Sequence, residues 1–430
     1  MTKFQIILIS IFVIFIAIGV TMFATYKTDD AETALPAIEV WGTFPSSLFA
    51  QYLQSINLTR ETALSINYVE IAKANFQKQF IDTLARGGGP DAILLSQEEI
   101  ALFGDKLVPI PTTILPERNF KETYVPQAEL YWTTNGSIAL PFVIDPMMMY
   151  WNRDMFTNAG LATYPRYWDE FEGIINRITI KDTNSNIRRS ALAMGEFKNV
   201  SHARELLSAL ILQTGNPITA LTTDGLLSTL GDGLIAGTQL TAPALSFYTQ
   251  FSNPRDPRYT WNRSLPASKS SFLSGNLATY FGFASELFDL RAKNPNIDFD
   301  VAPLPQARAG KNRVTYGSMY GFSIARSSAN QSATYQILQI LTSPQYLSGL
   351  EQLTYLPSVR RDVVAQGSTD PYMAIFLDSA LISHGWLDVN ASVSNTIFTD
   401  MIESITSGRK DTIQAIDDAH GELSISLHNI

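Results

Sequence analysis

The 430-residue chain contains no cysteine. Disulfides, thiolate metal sites and cysteine nucleophiles are therefore all excluded. Histidine is scarce: His202, His384, His420 and His428 are scattered along the chain. The one short pairing, His202-x-x-Glu205, falls on an expected surface helix, so no metal is expected. Net positive charge is also lacking. The formal charge is −9, whereas a nucleic-acid partner needs a basic surface to meet its phosphates. The glycine run Gly87-Gly88-Gly89 is followed by Pro90-Asp91 and an apolar stretch, without the Lys-Ser/Thr of a phosphate loop. The stretch 231–237 lacks the spacing and the preceding strand of a dinucleotide fingerprint. With no nucleophile elbow either, no cofactor is expected.

What the chain does have begins with a long apolar run. Residues 4–24 form 21 uncharged positions, with Lys3 before them and Lys27 after. A secretory core is roughly 7–15 residues and a spanning helix about 20. Met22 would stand at −3 for cleavage after Ala24, a poor small-residue site. The run therefore reads as an uncleaved transmembrane anchor, with a cleaved signal peptide as the alternative. The positive-inside rule puts the body outside the cytoplasm. Residues 25–36 read as a polar linker.

At this length the rest suffices for two α/β domains with cores of their own. The spacing predicts strands over 37–42, 64–69 and 92–95, and helices over 45–55 and 75–85. Residues 138–151 are nearly all apolar but contain Pro141 and Pro146. Each proline removes a ladder donor, so an uninterrupted central strand is not expected there. The stretch reads instead as an extended passage from one body to another. A short helix follows over 154–159, closed by Gly160. After Pro165 a helix sets Trp168, Phe171, Ile174, Ile175 and Ile178 on one face.

The order Tyr150-Trp151-Asn152-Arg153-Asp154-Met155-Phe156, then Ala159-Gly160-Leu161, then Pro165 ahead of Trp168-Asp169-Glu170, resembles the extracellular solute-binding proteins of ABC importers, in the class that includes the maltose-binding protein. Further similar blocks are the apolar 277–282 after Ser274-Gly275, the 299–305 strand with its Pro303-Leu304-Pro305, the glycine-containing 314–325 and the 356–358 turn. Tyr167 departs from the pattern, standing where a helix-capping Thr or Ser is usual. The resemblance covers 37 to about 420. It implies a type II periplasmic-binding-protein-like fold of two lobes, each a β-sheet flanked by helices. The first lobe would be 37–142 and 304–355, the second 146–301 and 359–430. The crossings would fall near 143–145, 302–303 and 356–358.

Ligand would lie between the lobes. The matching loops implicate Trp41 and Thr43; Ser96, Gln97 and Glu98; Gly282, Phe283, Ser285 and Glu286; Tyr316, Ser318 and Tyr320; and Trp386. Asp145 lies on the first crossing, and Tyr150 in the block that follows it. For Trp41 and Trp386 core packing is an equal alternative, and for Asp145 the alternative is a hinge-side carboxylate that caps a turn. Sugars lead as the ligand class, because pyranose faces stack on aromatic rings and hydroxyls need planar acceptors. The partners would be ABC permease subunits. The competing readings are an anchored carbohydrate-active hydrolase using two carboxylates, such as Asp145 with Glu286, and a receptor for sensing or adhesion without transport.

Overall fold

The computed structural model describes residues 35–222, 225–231, 240–308, 310, 313–388 and 390–428. The expected anchor, 4–24, and most of the linker, 25–36, lie outside the described residues. Among the described residues no helix is long and apolar enough to cross a membrane.

One 11-stranded sheet runs through the molecule. Its longer strands are β1 (Ile38–Gly42), β2 (Ile66–Glu70), β3 (Ala92–Ser96), β4 (Leu140–Asn152), β5 (Ile187–Leu192), β6 (Leu277–Phe283), β7 (Phe299–Pro303) and β8 (Thr315–Ala325). The order is β2-β1-β3-β8-β4-β6-β5, with β7 also on β4. β1, β2 and β3 are parallel, and β6 pairs β5 in parallel; β8, β6 and β7 all meet β4 antiparallel. All five residues of β3 are buried, as a strand covered on both faces requires. Helix Ser46–Asn57 covers this half with Phe49, Tyr52 and Ile56, a one-sided helical stripe. Phe49 stacks on Tyr68 at 4.3 Å, and Tyr52 donates to the carbonyl of Leu341.

The passage at 138–151 differs from expectation. Leu140–Asn152 is one 13-residue strand, and both prolines lie inside it. The reason is where each proline meets its neighbours. Pro141 lies opposite Gly321, beside a bulge that skips Phe142. Pro146 lies opposite Gly317, the last pair with β8. At Met147 the strand changes partner and begins to pair β6 through Phe283, and Met148 begins the pairing with β7 through Pro303. Neither ring interrupts the strand, because one lies beside a bulge and the other where pairing changes hands. The bulged Phe142 is fully buried against Phe44, Tyr52 and Phe322.

β4 is thus shared by two half-sheets, β2-β1-β3-β8-β4 and β7-β4-β6-β5. The chain's return at 356–358 runs beside it: Ile144 N–H donates to the Pro357 carbonyl at 3.4 Å, and Val143 bridges Ser358. The end of β7 lies on the same strand, with Ala302 opposite Met149. The segments expected as three crossings therefore lie along one strand.

Helix Phe171–Ile178 buries Phe171, Ile174, Ile175 and Ile178. The missing cap at Tyr167 is replaced from within: Glu170 accepts the backbone N–H of Arg166 at 2.7 Å and of Tyr167 at 3.3 Å. Within the expected irregular stretch 219–241, Thr219–Thr222 and Gly225–Ser228 form a two-stranded hairpin.

Candidate functional site

The half-sheets meet over three adjoining polar clusters. The first is centred on Glu286, in the short turn after β6. One carboxylate oxygen accepts from His202 Nε2 at 2.8 Å and from the Phe283 N–H at 3.0 Å. The other accepts from Lys269 Nζ at 2.5 Å and Tyr280 Oη at 2.8 Å. Burial alone would raise its pKa, but His202 and Lys269 hold it at about 2. The partner effect is reciprocal: burial opposes charge on His202, and Glu286 nevertheless raises its pKa.

Gly282 makes this arrangement possible. A Cβ there would lie 2.5 Å from the Tyr280 ring and 2.7 Å from Glu286 Oε1. Its role is close packing behind the carboxylate.

Asp145 stands beside this cluster on β4, two residues before the strand changes partner. Its carboxylate accepts the Ser285 N–H at 3.1 Å, and its register partner on β8 is Ser318. It keeps partial solvent access although protein surrounds it. Burial pushes its pKa up to about 7, against the Ser285 hydrogen bonds and with help from the Glu286 charge.

The second cluster joins the half-sheets directly. Glu98 lies in the turn of helix following β3; Arg204 lies at the start of helix Ala203–Thr214. Arg204 donates to Glu98 at 2.5 Å, Glu205 at 2.9 Å, Asp388 at 2.9 Å and Ser394 at 3.2 Å. Tyr316 Oη donates to the same Glu98 oxygen at 3.2 Å, and Lys73 stands 3.6 Å from the other. Burial raises the pKa of Asp388 against the pull of Arg204.

The third cluster lines the β1–β3 side. Glu99 accepts from the Ser96 N–H at 3.2 Å, Ser96 Oγ at 3.0 Å and Thr43 Oγ1 at 3.4 Å. Tyr320, opposite Ser96 in register, is half-buried and packs edge-on to Phe44 at 5.7 Å. Burial raises its pKa, and the charges of Glu99 and Asp145 add to the effect. Phe283 approaches Tyr316 edge-on at 6.3 Å from the opposite side.

The expected site residues thus divide into two groups. Thr43, Glu98, Asp145, Phe283, Ser285, Glu286, Ser318 and Tyr320 keep some exposure around these clusters. Trp41, Ser96, Gln97, Tyr150, Gly282, Tyr316 and Trp386 are buried. Trp41 donates to Glu39 on its own strand. The Gln97 side chain joins the Gly317 carbonyl at 3.0 Å to the Met319 N–H at 2.6 Å. Tyr150 donates to the Phe283 carbonyl at 2.7 Å, holding the loop after β6 to β4. Trp386 stacks on Phe398 at 5.9 Å and donates to Ser208 at 3.0 Å.

Sequence reasoning missed Arg204, Glu99 and Lys269. It noticed His202 only as a metal ligand paired with Glu205, whereas the imidazole faces Glu286. Nothing local marks these residues, since their partners lie far away in the chain. Among the described residues no group of three or more His, Asp or Glu is placed to hold a metal.

The family model for bacterial extracellular solute-binding proteins matches residues 47–347. The chain belongs to that family. No curated protein sequence matches the chain. Among solved structures, this solute-binding protein is similar in fold to the cyclic alpha-maltosyl-1,6-maltose binding protein from Arthrobacter globiformis. The TM-score is 0.73 at 15% identity, over 92% of this chain and 100% of that one. It is also similar to a cyclo/maltodextrin-binding protein complexed with maltotetraose, with a TM-score of 0.72 at 15% identity over 92% and 98% of the two chains. CpMnBP1 with mannotriose bound gives 0.67 at 16% identity over 90% and 99%. In this solute-binding protein, the Glu286 cluster lies on the β6 side, the Glu99 cluster on the β3 side, and the Glu98–Arg204 contact joins residues of the two.

Proposed function

We propose that this solute-binding protein captures a sugar or oligosaccharide between its two lobes and delivers it to an ABC permease. The observation that carries the reading is the pairing of partly exposed rings, Tyr320 and Phe283, with partly exposed oxygen acceptors, Asp145, Glu98 and Ser318, around one junction. Rings offer flat apolar faces to a pyranose, and carboxylates and hydroxyls offer fixed hydrogen-bonding partners to its hydroxyls. The sugar ligands named for the structural neighbours, maltotetraose and mannotriose, support the class. The lobes would be 37–142 with 304–355 and 146–301 with 359–430. Bending where β4 changes partner, and at the two neighbouring returns, would open and close them. Thr43 and Ser285 complete the contact set; Glu286 and the buried members expected from sequence would act by holding it in place. An N-terminal anchor at 4–24 would keep the body outside the cytoplasm and beside its permease.

Binding without turnover is favoured over hydrolysis by the state of Glu286. Each of its oxygens already accepts two hydrogen bonds. A glycosidase nucleophile or base needs a free oxygen facing the reacting centre. Titrating the purified chain with maltose- and mannose-series oligosaccharides, read by tryptophan fluorescence and calorimetry, tests the sugar class. A response to peptides or polyamines but to no glycan would overturn it. Product analysis after long incubation tests the absence of turnover.

A further inference from the structure

We infer that the cavity lined by Arg166, Arg308 and Arg313 is a second ligand site, which takes a small organic anion carrying two or more carboxylate or phosphate groups. The cavity holds about 460 Å³, and Tyr164, Tyr167 and Leu304 supply part of its wall. The protein as a whole is negative, at −9, so three arginines around one space are not a sample of its general surface.

The three arginines differ in how they are answered. Arg308 bonds Asp169 at 2.7 and 3.2 Å and Glu170 at 3.2 Å. Its guanidinium lies 4.1 Å from the centre of the Tyr167 ring. The guanidinium groups of Arg166 and Arg313 have no acidic partner among the described residues. Like charges around one space repel each other, and an anion between them removes that repulsion.

One buried residue ties the two walls together. Gln306 donates its N–H to the Arg166 carbonyl at 3.0 Å, and its own carbonyl accepts the Trp168 N–H at 3.2 Å. Its side chain holds the opposite wall at Val314, the residue after Arg313. Nε2 donates to the Val314 carbonyl at 3.1 Å, and Oε1 accepts the Val314 N–H at 2.8 Å. Gln213 donates to the same carbonyl at 2.9 Å. Protein contacts alone therefore set the separation of the backbones that carry Arg166 and Arg313, which lowers the ordering cost of binding. Guanidinium forks meet carboxylate and phosphate oxygens in paired hydrogen bonds. Two such forks on a fixed backbone favour a ligand with two anionic groups.

The site stands apart from the junction. It shares no residue with the three clusters, and a bound anion would rest against Pro303 and Leu304 at the end of β7.

Citrate and inorganic phosphate are the probes. Each is titrated calorimetrically into the full chain in an uncharged detergent without a sugar headgroup, at about pH 7.5 and about 0.15 M salt, which screens general attraction. Citrate should bind one to one and more tightly than phosphate. Arg166→Ala and Arg313→Ala should each weaken citrate at least about fivefold, as loss of a partly screened charge-assisted contact does. Both side chains are exposed, so both variants should keep the fold, as circular dichroism checks. Arg255→Ala removes an exposed arginine elsewhere and should change nothing. No saturable citrate binding, an affinity unchanged in both cavity variants, or equal weakening by Arg255→Ala would overturn the site. Phosphate bound as tightly as citrate would overturn the two-group ligand. A failed sugar titration leaves this result intact.

Discussion

The Asp145 carboxylate accepts the Ser285 N–H at 3.1 Å, tying the strand shared by both half-sheets to the loop that follows β6. The same loop carries Glu286, so two carboxylates with opposite tendencies stand side by side. Asp145 is pushed up to about 7 and Glu286 down to about 2. Burial acts on both; the difference is that His202 and Lys269 answer Glu286, while no cation bonds Asp145 among the described residues.

Asp145 makes stability fall as pH rises. Its folded pKa is raised above the ordinary value of 3.8, so between about 4 and 7 the folded state holds a proton that the unfolded state has lost. That contribution is fully present below 4 and gone above 7. Asp145→Asn should flatten this part of the stability profile. Urea midpoints measured at pH 4, 5.5, 7 and 8.5 check it, and an unchanged slope in the variant would contradict the assignment.

The His202–Glu286 pair behaves differently at each end. Glu286, lowered to about 2, supplies stability that is present above 4.5 and lost as pH falls towards 2. His202, raised above 6.5, supplies stability that is present below that value and lost as pH rises through its folded pKa. Glu286→Gln should cost about 3 kcal/mol, because it removes the negative charge that answers Lys269 and His202 and replaces one accepting oxygen by an NH2 donor. Chemical denaturation measures the loss, and the histidine titration by NMR should move down in the variant.

Gly282→Ala should destabilise by about 1–3 kcal/mol through overpacking. The new Cβ meets the Tyr280 ring at 2.5 Å and Glu286 Oε1 at 2.7 Å. Glu286 must shift, so solute affinity should fall along with the melting temperature.

Tyr320 and Trp386 should separate binding from packing. Tyr320→Ala removes a half-buried ring beside Thr43 and Asp145 and should weaken sugar binding at least about tenfold, as loss of an aromatic anchor does. Trp386→Phe removes the donor to Ser208 within the core and should cost about 1 kcal/mol of stability. Affinity should be unchanged. Calorimetric titration of both folded variants checks the contrast.

Much of the fold is legible in the residues. Apolar runs such as 92–95 and the one-sided spacing of Phe171, Ile174, Ile175 and Ile178 mark their elements, because strand and helix periods are local properties. The prolines at 141 and 146 are plain in the sequence, yet their effect on β4 is not local. Whether a proline breaks a strand depends on which neighbour would have needed its N–H, and here a bulge and a change of partner intervene.

By itself the sequence determined many of the strands and helices and the family pattern. Only the tertiary structure decided which side chains of the implicated loops turn inward. Trp386 and Tyr150 are rings in apolar surroundings, and nothing local distinguishes a core ring from a cleft ring. Arg204 meets Glu98 across 106 residues and His202 meets Glu286 across 84. Such pairs are set by how two half-sheets share β4. Charge acts through space, and periodicity along the chain carries no record of it.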